Sequence, residues 1–323
     1  MLNHFYRAVF TGLLALSAAA PAIAQNYPSR PMRIIVPYAP GGGADISMRV
    51  IATKLQENTG QPVVIENRPG ASEILGTEAL ARAAPDGYTM GFISNTHAIN
   101  PTLQPKLPYD SDRDILPVMK LVNVPLVMIV PPSLPVKNVK ELVALAKAQP
   151  GKLNYASFGA GGPHGLAMEW FKIVSGTDFV AVNYKGIAPG LIGLAQGDVH
   201  VMFTGMTGGA PWIRAGKARA IAVSSAAGMA AMPDVPAIAR DYPEFDMSSW
   251  YGLGVPGGTP PQIVARLHAE ISKVLNDPQV RQKFDSMGVE AATPMPQQEF
   301  AAMIRKETQT WARVIKAAGI KLN

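Results

Sequence analysis

Short apolar runs alternate with longer amphipathic stretches along the first part of the chain. Each run is long enough for a strand, and the apolar positions between runs recur at roughly helical spacing. The predicted strands lie at residues 34–36, 63–66 and 88–94, and the predicted helices start near residue 46 and span 74–83. This βαβ order predicts a parallel sheet with right-handed crossovers, and loops at the carboxyl ends of its strands form the expected binding edge.

The same alternation continues through the rest of the chain. A polar, Pro-containing segment at 100–117 is predicted to be a connection, and the extended run at 121–130 is predicted to cross into a second domain. Further strands are predicted at 153–157, 179–182, 199–203, 218–223 and 249–255. The last of them is expected to carry the chain back to the first domain. The intervening helices are predicted at 138–149, 166–175, 188–196 and 210–214.

Two stripes of 3.6-residue period near the end of the chain predict helices with one buried face. The first stripe begins after Pro260 and contains Ile263, Val264, Leu267, Ile271, Val274 and Leu275. The second contains Phe300, Met303, Ile304, Trp311, Val314 and Ile315. We expect these side chains to form core, and we assign them no chemistry.

Two glycine-rich turns, PYAPGGGAD and FGAGGPHG, each stand between a predicted strand and a predicted helix. Glycines let a ligand approach main-chain amides closely, and the amides at a helix start attract anions. Asp45 is a plausible N-cap for the first helix. The first motif is equally compatible with an ordinary turn in a βα unit that binds nothing.

Composition narrows the classes of function. A chain of 323 residues favours two domains, and 48% hydrophobic with 16% charged residues predicts complete folding. The net charge of +6 suits an anionic ligand, but the basic residues are scattered, so we expect no nucleic-acid partner. The chain has no cysteine, and its five histidines lack metal-ligand spacing. We therefore predict neither a metal site nor a cofactor.

The first residues read as a secretory signal peptide. Arg7 supplies a positive charge, an apolar stretch follows at 9–20, and Ala22 and Ala24 fit the small-residue positions before a cleavage site. We predict removal of residues 1–24 and export to the periplasm. No later stretch approaches the length that a membrane-spanning helix needs.

Motifs along the whole mature chain resemble the Bug family of extracytoplasmic solute receptors, the binding proteins of tripartite tricarboxylate transporters. They are, in order, PYAPGGGAD, VVIENRPGA, ARAAPDGYT, THAINPTL, KLPYD, PGKLNYAS, VNYKGIAPGL, IRAGKARAIAVSS and PDVPAI. The resemblance implies an α/β fold of two domains, a Venus flytrap clamshell with two hinge-crossing strands. It places domain 1 at residues 25–122 and 252–323, and domain 2 at 123–251.

The resemblance also implies a function and a site. Such a receptor is expected to be a monomer that closes on a small organic carboxylate, gripped by main-chain amides, and delivers it to membrane subunits of the transporter. Carried onto this chain, the first-domain site residues are Tyr38, Ala39, Pro40, Gly41, Gly42, Gly43, Ala44, Asp45, Ile74, Ser94, Asn95 and Thr96. The second-domain site residues are Phe158, Gly159, Ala160, Gly161, Gly162, His164, Lys185, Phe203 and Thr204.

Three departures from the family pattern bear on the ligand. Thr204 stands where an acid is frequent, PGASEILG replaces PGAGGNIG, and His164 comes one position earlier than usual. We expect Ile74, Phe158, Phe203 and Thr204 to line an apolar cleft with no facing acid. That cleft would suit a carboxylate with an apolar body, aliphatic or aromatic, with room for a second carboxyl near His164, and would disfavour an ammonium. A solvated loop is the alternative place for Thr204.

Two other functions are compatible with the same residues. An exported hydrolase could use Ser94 or Ser157 with His97 or His164, but the chain lacks both a GxSxG elbow and the Lys-Ser/Thr of a nucleotide loop. A ligand sensor that signals to a membrane kinase would share the receptor fold. The sequence does not separate transport from sensing.

Overall fold

Strands and helices alternate in the computed structural model, which describes residues 27–104, 106–158 and 162–320. The strands are β1 (Met32–Val36), β2 (Val63–Asn67), β3 (Thr89–Ser94), β4 (Ile115–Pro125), β5 (Val127–Val130), β6 (Asn154–Ser157), β7 (Val180–Asn183), β8 (Met202–Thr204), β9 (Arg219–Val223), β10 (Ser248–Pro256) and β11 (Glu290–Ala291). The helices are α1 (Gly43–Thr59), α2 (Ile74–Ala81), α3 (Asn95–Leu103), α4 (Val139–Ala148), α5 (Pro163–Ser175), α6 (Ile187–Gln196), α7 (Met206–Arg214), α8 (Pro261–Asn276), α9 (Pro278–Ser286) and α10 (Gln297–Ala317). The predicted signal peptide lies outside the described residues.

The first sheet has six strands in the order β11-β4-β10-β3-β1-β2. The predicted parallel pairing is confirmed for β1 with β2 and with β3. However, β10 runs antiparallel to both β3 and β4, so the whole sheet is mixed. The difference arises because β10 enters this sheet from the second half of the molecule.

The second half repeats this arrangement with smaller sheets. β5 pairs antiparallel with β8 and β9, and β6 pairs parallel with β7. A parallel bridge between Tyr155 and Val201 connects β6 to the start of β8. The resulting order β7-β6-β8-β5-β9 corresponds to β2-β1-β3-β10-β4 in the first sheet. In each half, the strand that arrives from the other half is inserted beside the third strand.

The chain crosses between the two halves at Leu126 and again between β9 and β10. The sequence pattern predicted one strand at 121–130, but β4 ends at Pro125 in the first sheet and β5 begins in the second. Buried Ser224 joins the two crossings, since its hydroxyl accepts the Leu126 amide at 2.9 Å and its carbonyl accepts the Met247 amide at 2.9 Å. These bonds satisfy buried main-chain groups where the ladders are interrupted.

The predicted connection at 100–117 is partly wrong, because α3 covers Asn95–Leu103. Ser94 caps this helix, and its hydroxyl accepts the Thr96 amide at 3.1 Å. Pro101 lies inside α3, and a proline in that place normally argues against a helix. The polar segment that connects α3 to β4 is therefore shorter than predicted.

The two predicted apolar stripes are buried on α8 and α10, except that Met303 is only partly buried. The stripe of α8 packs with the first sheet and α1. The stripe of α10 belongs to a cluster that reaches into the second half, where the Trp311 and Trp170 rings lie 5.6 Å apart. Among the residues described, no helix combines the length and apolar character needed to cross a membrane.

Candidate functional site

The loops that follow the parallel strands of each half are turned toward the crossing region. β3 ends where Ser94 pairs with Tyr251 of β10, and β8 ends where Thr204 pairs with Val127 of β5. Both β10 and β5 begin within a few residues of a crossing. We call the loops after β1, β2 and β3 the first wall, and the loops after β6, β7 and β8 the second wall. The two walls therefore flank the crossing strands, as a binding edge should.

Asp45 does not cap α1, which corrects the prediction from sequence. The helix begins at Gly43 with Gly42 as its N-cap, and Asp45 lies buried in the first turn. Its carboxylate accepts the Gly41 amide at 2.8 Å, Arg49 Nε at 2.9 Å and Asn67 Nδ2 at 2.9 Å. Burial opposes ionisation, but these hydrogen bonds outweigh it and lower the pKa of Asp45 to about 2. An ionised carboxylate on the buried side of the glycine loop therefore holds the loop through the Gly41 amide.

The front of the glycine loop stays exposed. Tyr38, Ala39, Pro40 and the three glycines are all exposed, whereas Ala44 is buried. The Gly41 amide donates to Asp45. The first intrahelical bond joins the Ile46 amide to the Gly42 carbonyl at 2.9 Å. The amides between these two bonds precede the helical ladder, which is where a helix start binds anions.

The loop after β2 carries a buried acid that the sequence analysis left out of the site. Glu73 is the third of three consecutive residues with positive φ, at 47°, 51° and 72°. Such conformations are strained for residues other than glycine and are concentrated at functional sites. Oε1 of Glu73 accepts the hydroxyl of Tyr38 and, at 2.7 Å, the hydroxyl of Ser94. The signal was available in the sequence, because an acid stands here in a turn where the family has glycine.

Glu73 is a buried acid within the first wall. Its side chain is 5% exposed, and no ion pair among the described residues includes it. Burial raises the pKa of Glu73, while hydrogen bonds from Tyr38, Ser94 and Thr96 act in the opposite direction. An acid is thus present beside Tyr38 and Ser94, although none occupies position 204.

The second wall is built from helix starts without side-chain caps. α5, α6 and α7 follow Gly162, Gly186 and Gly205, and none of these helices has a side-chain cap within the described part of the chain. Gly186 has φ 133° and ψ 176°, a conformation that other residues essentially never adopt. Lys185 beside it is exposed. The predicted site residues Gly159, Ala160 and Gly161 lie outside the described residues.

Phe158 and His164 form an aromatic pair on the second wall. Their rings meet edge to face with centroids 5.5 Å apart, and a Cβ added to Gly190 would lie 2.7 Å from the Phe158 ring. Burial lowers the pKa of His164 to about 4, so the imidazole is neutral at physiological pH. A neutral imidazole has one N–H donor and brings no positive charge to a carboxylate.

The predicted roles of Phe203 and Thr204 in lining the cleft are corrected by their burial. Both are 0% exposed, and the Phe203 ring stacks on Phe245 at 6.0 Å. The Thr204 hydroxyl donates to the Gly205 carbonyl at 3.2 Å, and a Cβ added to Gly209 would lie 2.7 Å from Thr204 Cγ2. Thr204 is the last residue of β8, so the alternative of a solvated loop is wrong as well.

Asn95 is hydrogen-bonded to β10, the strand that returns from the second half. Its Oδ1 accepts the Trp250 amide at 2.9 Å and the Ser249 hydroxyl at 3.0 Å, while Nδ2 donates to Glu307 at 3.1 Å. Trp250 Nε1 also donates to Glu307 at 2.9 Å. Burial raises the pKa of Glu307 to about 7. Of the other predicted residues, Ile74 and Thr96 are half-buried on the first wall.

The arrangement does not support a Ser–His nucleophile on the first wall. The Ser94 hydroxyl is hydrogen-bonded to Glu73 and Thr96, and His97 is buried in α3 with Nδ1 lacking a partner among the described residues. Burial lowers the pKa of His97 to about 4. Within the described ranges, no group of three His, Cys, Asp or Glu residues could hold a metal ion.

Known proteins are similar to this chain in both sequence and fold. Residues 47–320 match the family described as tripartite tricarboxylate transporter family receptor. Protein BugT of Bordetella pertussis is 36% identical over 307 residues, which cover 94% of each chain.

Two solved structures are also similar. An R. palustris protein solved with adipate is 33% identical with TM-score 0.75, covering 91% of this chain and 99% of its own. MatC of Rhodopseudomonas palustris with bound malate is 31% identical with TM-score 0.71, covering 90% and 100% respectively. These matches confirm the two-domain α/β fold expected from the resemblance. The chain thus belongs to the receptor family of tripartite tricarboxylate transporters, whose members are solute-binding proteins and not enzymes.

Proposed function

We propose that this chain captures a small organic carboxylate between its two walls and delivers it to the membrane subunits of a tripartite tricarboxylate transporter. One observation carries the proposal. Four helices, α1, α5, α6 and α7, each begin at a glycine without a side-chain cap in the described residues, and their starts belong to walls that flank the same crossings. Main-chain amides and helix dipoles at such starts stabilise an anion without a fixed cationic partner.

The chemistry of the walls is consistent with this mode of binding. Lys185 is the one basic residue among the predicted ligand contacts, and it is exposed. The ordered, ionised Asp45 keeps the first glycine loop in place, so the loop needs little reorganisation when the ligand arrives. The adipate and malate of the two similar structures are both small dicarboxylates. They define the size of ligand with which to begin.

We further propose that the two domains close about the crossings at Leu126 and between β9 and β10. The site residues named from sequence, apart from Phe203 and Thr204, then form the ligand contacts. The aliphatic or aromatic body of the ligand would lie against Ile74 and Phe158, which are both half-buried.

A thermal-shift screen tests the proposed function. The protein is melted with mono-, di- and tricarboxylates and with aromatic acids, and with the matching amides as uncharged controls. A ligand at about 100 times its dissociation constant adds roughly 2.7 kcal/mol of stability, which raises the melting temperature by several degrees. If no carboxylate raises it above the amide controls, carboxylate capture is refuted.

Delivery and export need their own measurements. We propose that the mature protein lacks residues 1–24 and works in the periplasm, which intact-mass analysis of periplasmic protein can test. Uptake of the identified carboxylate should fall when the gene is deleted and return when it is restored. Normal uptake combined with a lost transcriptional response to the ligand would favour the sensor instead.

A further inference from the structure

The hydroxyl groups of the first wall are already committed to an internal carboxylate. Tyr38 donates its one hydroxyl proton to Glu73, and Ser94 donates its own to the same oxygen at 2.7 Å. The Ser94 oxygen in turn accepts the Thr96 amide at 3.1 Å. A hydroxyl has a single proton to donate. Neither side chain can therefore donate to a ligand while Glu73 holds this position.

The hydrogen-bonding character of the wall follows from this count. With its hydroxyl donated to Glu73, the Tyr38 oxygen offers lone pairs, and Oε1 of Glu73 already accepts from both hydroxyls. Tyr38 is 36% exposed, so it is the member of the set that a ligand can reach. A ligand carboxylate at this place would meet hydrogen-bond acceptors and no donor from Tyr38 or Ser94. A hydroxyl or ammonium would meet suitable partners.

The fold itself does not require the acid. Glu73 occupies a backbone conformation with φ 72° that glycine adopts without strain, and it is the N-cap of α2 without forming a side-chain cap. Burying a carboxyl without a cationic partner is also unfavourable. Both features are costs, so the role of Glu73 is to be sought in what the wall recognises.

We propose that Glu73 is a specificity-determining residue, which makes the part of the first wall at Tyr38 and Ser94 an acceptor surface and selects ligands that carry a hydrogen-bond donor, hydroxyl or ammonium, at the end remote from the bound carboxylate. This inference rests on the proposed function, because it takes one carboxylate to be held by the helix starts. It departs from the expectation of a second carboxyl, since a dicarboxylate would place its second carboxylate against the acceptor oxygen of Tyr38.

Isothermal calorimetry at neutral pH can test the proposal with ligands that differ only at one end. The probes are hexanoate, its ω-hydroxy and ω-amino analogues, and adipate, together with the corresponding series built on butyrate and succinate. The wild-type protein should bind an ω-hydroxy or ω-amino member about tenfold more tightly than the dicarboxylate of the same length. The two donors are separated by comparing the hydroxy and amino members.

Two substitutions of Glu73 should change this preference. Glu73→Gly frees the protons of Tyr38 and Ser94 and should reverse the order, so that the dicarboxylate binds about tenfold more tightly than the donor-bearing analogue. Glu73→Gln keeps a carbonyl acceptor for both hydroxyls but cannot ionise, so it should reduce the difference in affinity between the donor-bearing ligand and the dicarboxylate. It also serves if the glycine variant does not fold. The matched control is Glu78→Gln, which makes the same substitution in an acid on α2 that pairs with Arg82.

Several outcomes would overturn the inference. One is a wild-type protein that binds the dicarboxylate as tightly as its donor-bearing analogue. Another is an order that stays unchanged in folded Glu73→Gly, including no binding by either protein, and a third is an equal effect of Glu78→Gln. If the wild type still responds to carboxylates in the thermal-shift screen, these results remove the role of Glu73 and leave the proposed function standing.

Discussion

The two walls differ in which groups form their hydrogen bonds. In the first wall, acidic side chains accept hydrogen bonds from their neighbours: Asp45 accepts the Gly41 amide, and Glu73 accepts the hydroxyls of Tyr38 and Ser94. In the second wall, three helices begin at glycines, and His164 in the first turn of α5 is neutral because burial lowers its pKa. The second wall presents main-chain amide donors, whereas the acidic and hydroxyl side chains of the first wall are already hydrogen-bonded to their neighbours.

The difference suggests a division of roles. Main-chain amides recognise a carboxylate but carry no information about the rest of the molecule. A buried network with fixed donors and acceptors discriminates strongly, because a mismatched ligand leaves a polar group unpaired. We therefore expect substitutions at helix starts to change affinity for all ligands, and substitutions of the hydrogen-bonding side chains Asp45 and Glu73 to change stability or preference.

The largest expected effect comes from closing the helix starts themselves. Gly42 and Gly205 have φ of −79° and −74°, which any residue can adopt. An added Cβ would approach no atom closer than 3.9 Å at Gly42 and meet nothing within 4 Å at Gly205. Gly42→Val and Gly205→Val should each weaken carboxylate binding roughly 100-fold in calorimetry, because a branched side chain shields about two amide bonds to a charged group. Unfolding midpoints near wild type serve as the control, and wild-type affinity in either folded variant would contradict backbone recognition there.

The second effect is on the stability of the first wall. The pKa of Asp45 is about 2 in the folded protein, below its ordinary value of 3.8, so ionised Asp45 stabilises the fold above about pH 4 and this contribution is lost as the pH falls toward 2. Asp45→Asn should cost about 2 kcal/mol in urea unfolding at neutral pH, and less in acid. Asp86→Asn, which removes an exposed partner of Arg30, should cost under about 0.5 kcal/mol. Equal costs for the two variants would show that Asp45 does not anchor the loop.

The third effect concerns charge on the second wall. The pKa of His164 is about 4, so protonation favours the unfolded chain, and its contribution to stability is full above about pH 6.5 and is lost as the pH falls toward 4. NMR titration of the imidazole, assigned with His164→Gln, should give a midpoint near 4. A midpoint near 6.5 would mean that His164 is solvated and can carry charge to a ligand.

The smallest effect is expected at Lys185. Its side chain is exposed, so solvent screening limits its attraction for a carboxylate. Lys185→Ala should weaken binding by less than about threefold, and raising the ionic strength should remove most of the difference. A loss comparable to that of Gly205→Val would show that the second wall depends on a cation after all.

Sequence periodicity predicted the elements whose burial is set by their own pattern. The stripes on α8 and α10 are examples, since every third or fourth apolar residue meets the core regardless of topology. The break at Leu126 was not predictable from its neighbours, because only the partners of β4 and β5 differ, not their composition. The sequence did not predict α3 because it contains Pro101, and prolines usually end helices, although this helix tolerates one.

Within the candidate site, local order was predictable and side-chain direction was not. The strand, glycine turn and helix of the first wall were expected at the right place. Phe203 was assigned to the ligand from the family resemblance, but its ring is buried against Phe245, a contact that the sequence around it does not reveal. Glu73 was missed because its role depends on two hydroxyls that lie 35 and 21 residues away in sequence.

Three tryptophans near the junction of the two halves provide an intrinsic fluorescence probe. Trp170 of α5 and Trp311 of α10 belong to different halves, and their rings lie edge to face with centroids 5.6 Å apart. Trp250 lies in the returning crossing strand with its indole N–H on Glu307. Indole emission depends on contacts of this kind, so closure of the two halves should change the intrinsic fluorescence of the unlabelled protein. The rate of ligand capture can then be followed by stopped flow without attaching a dye.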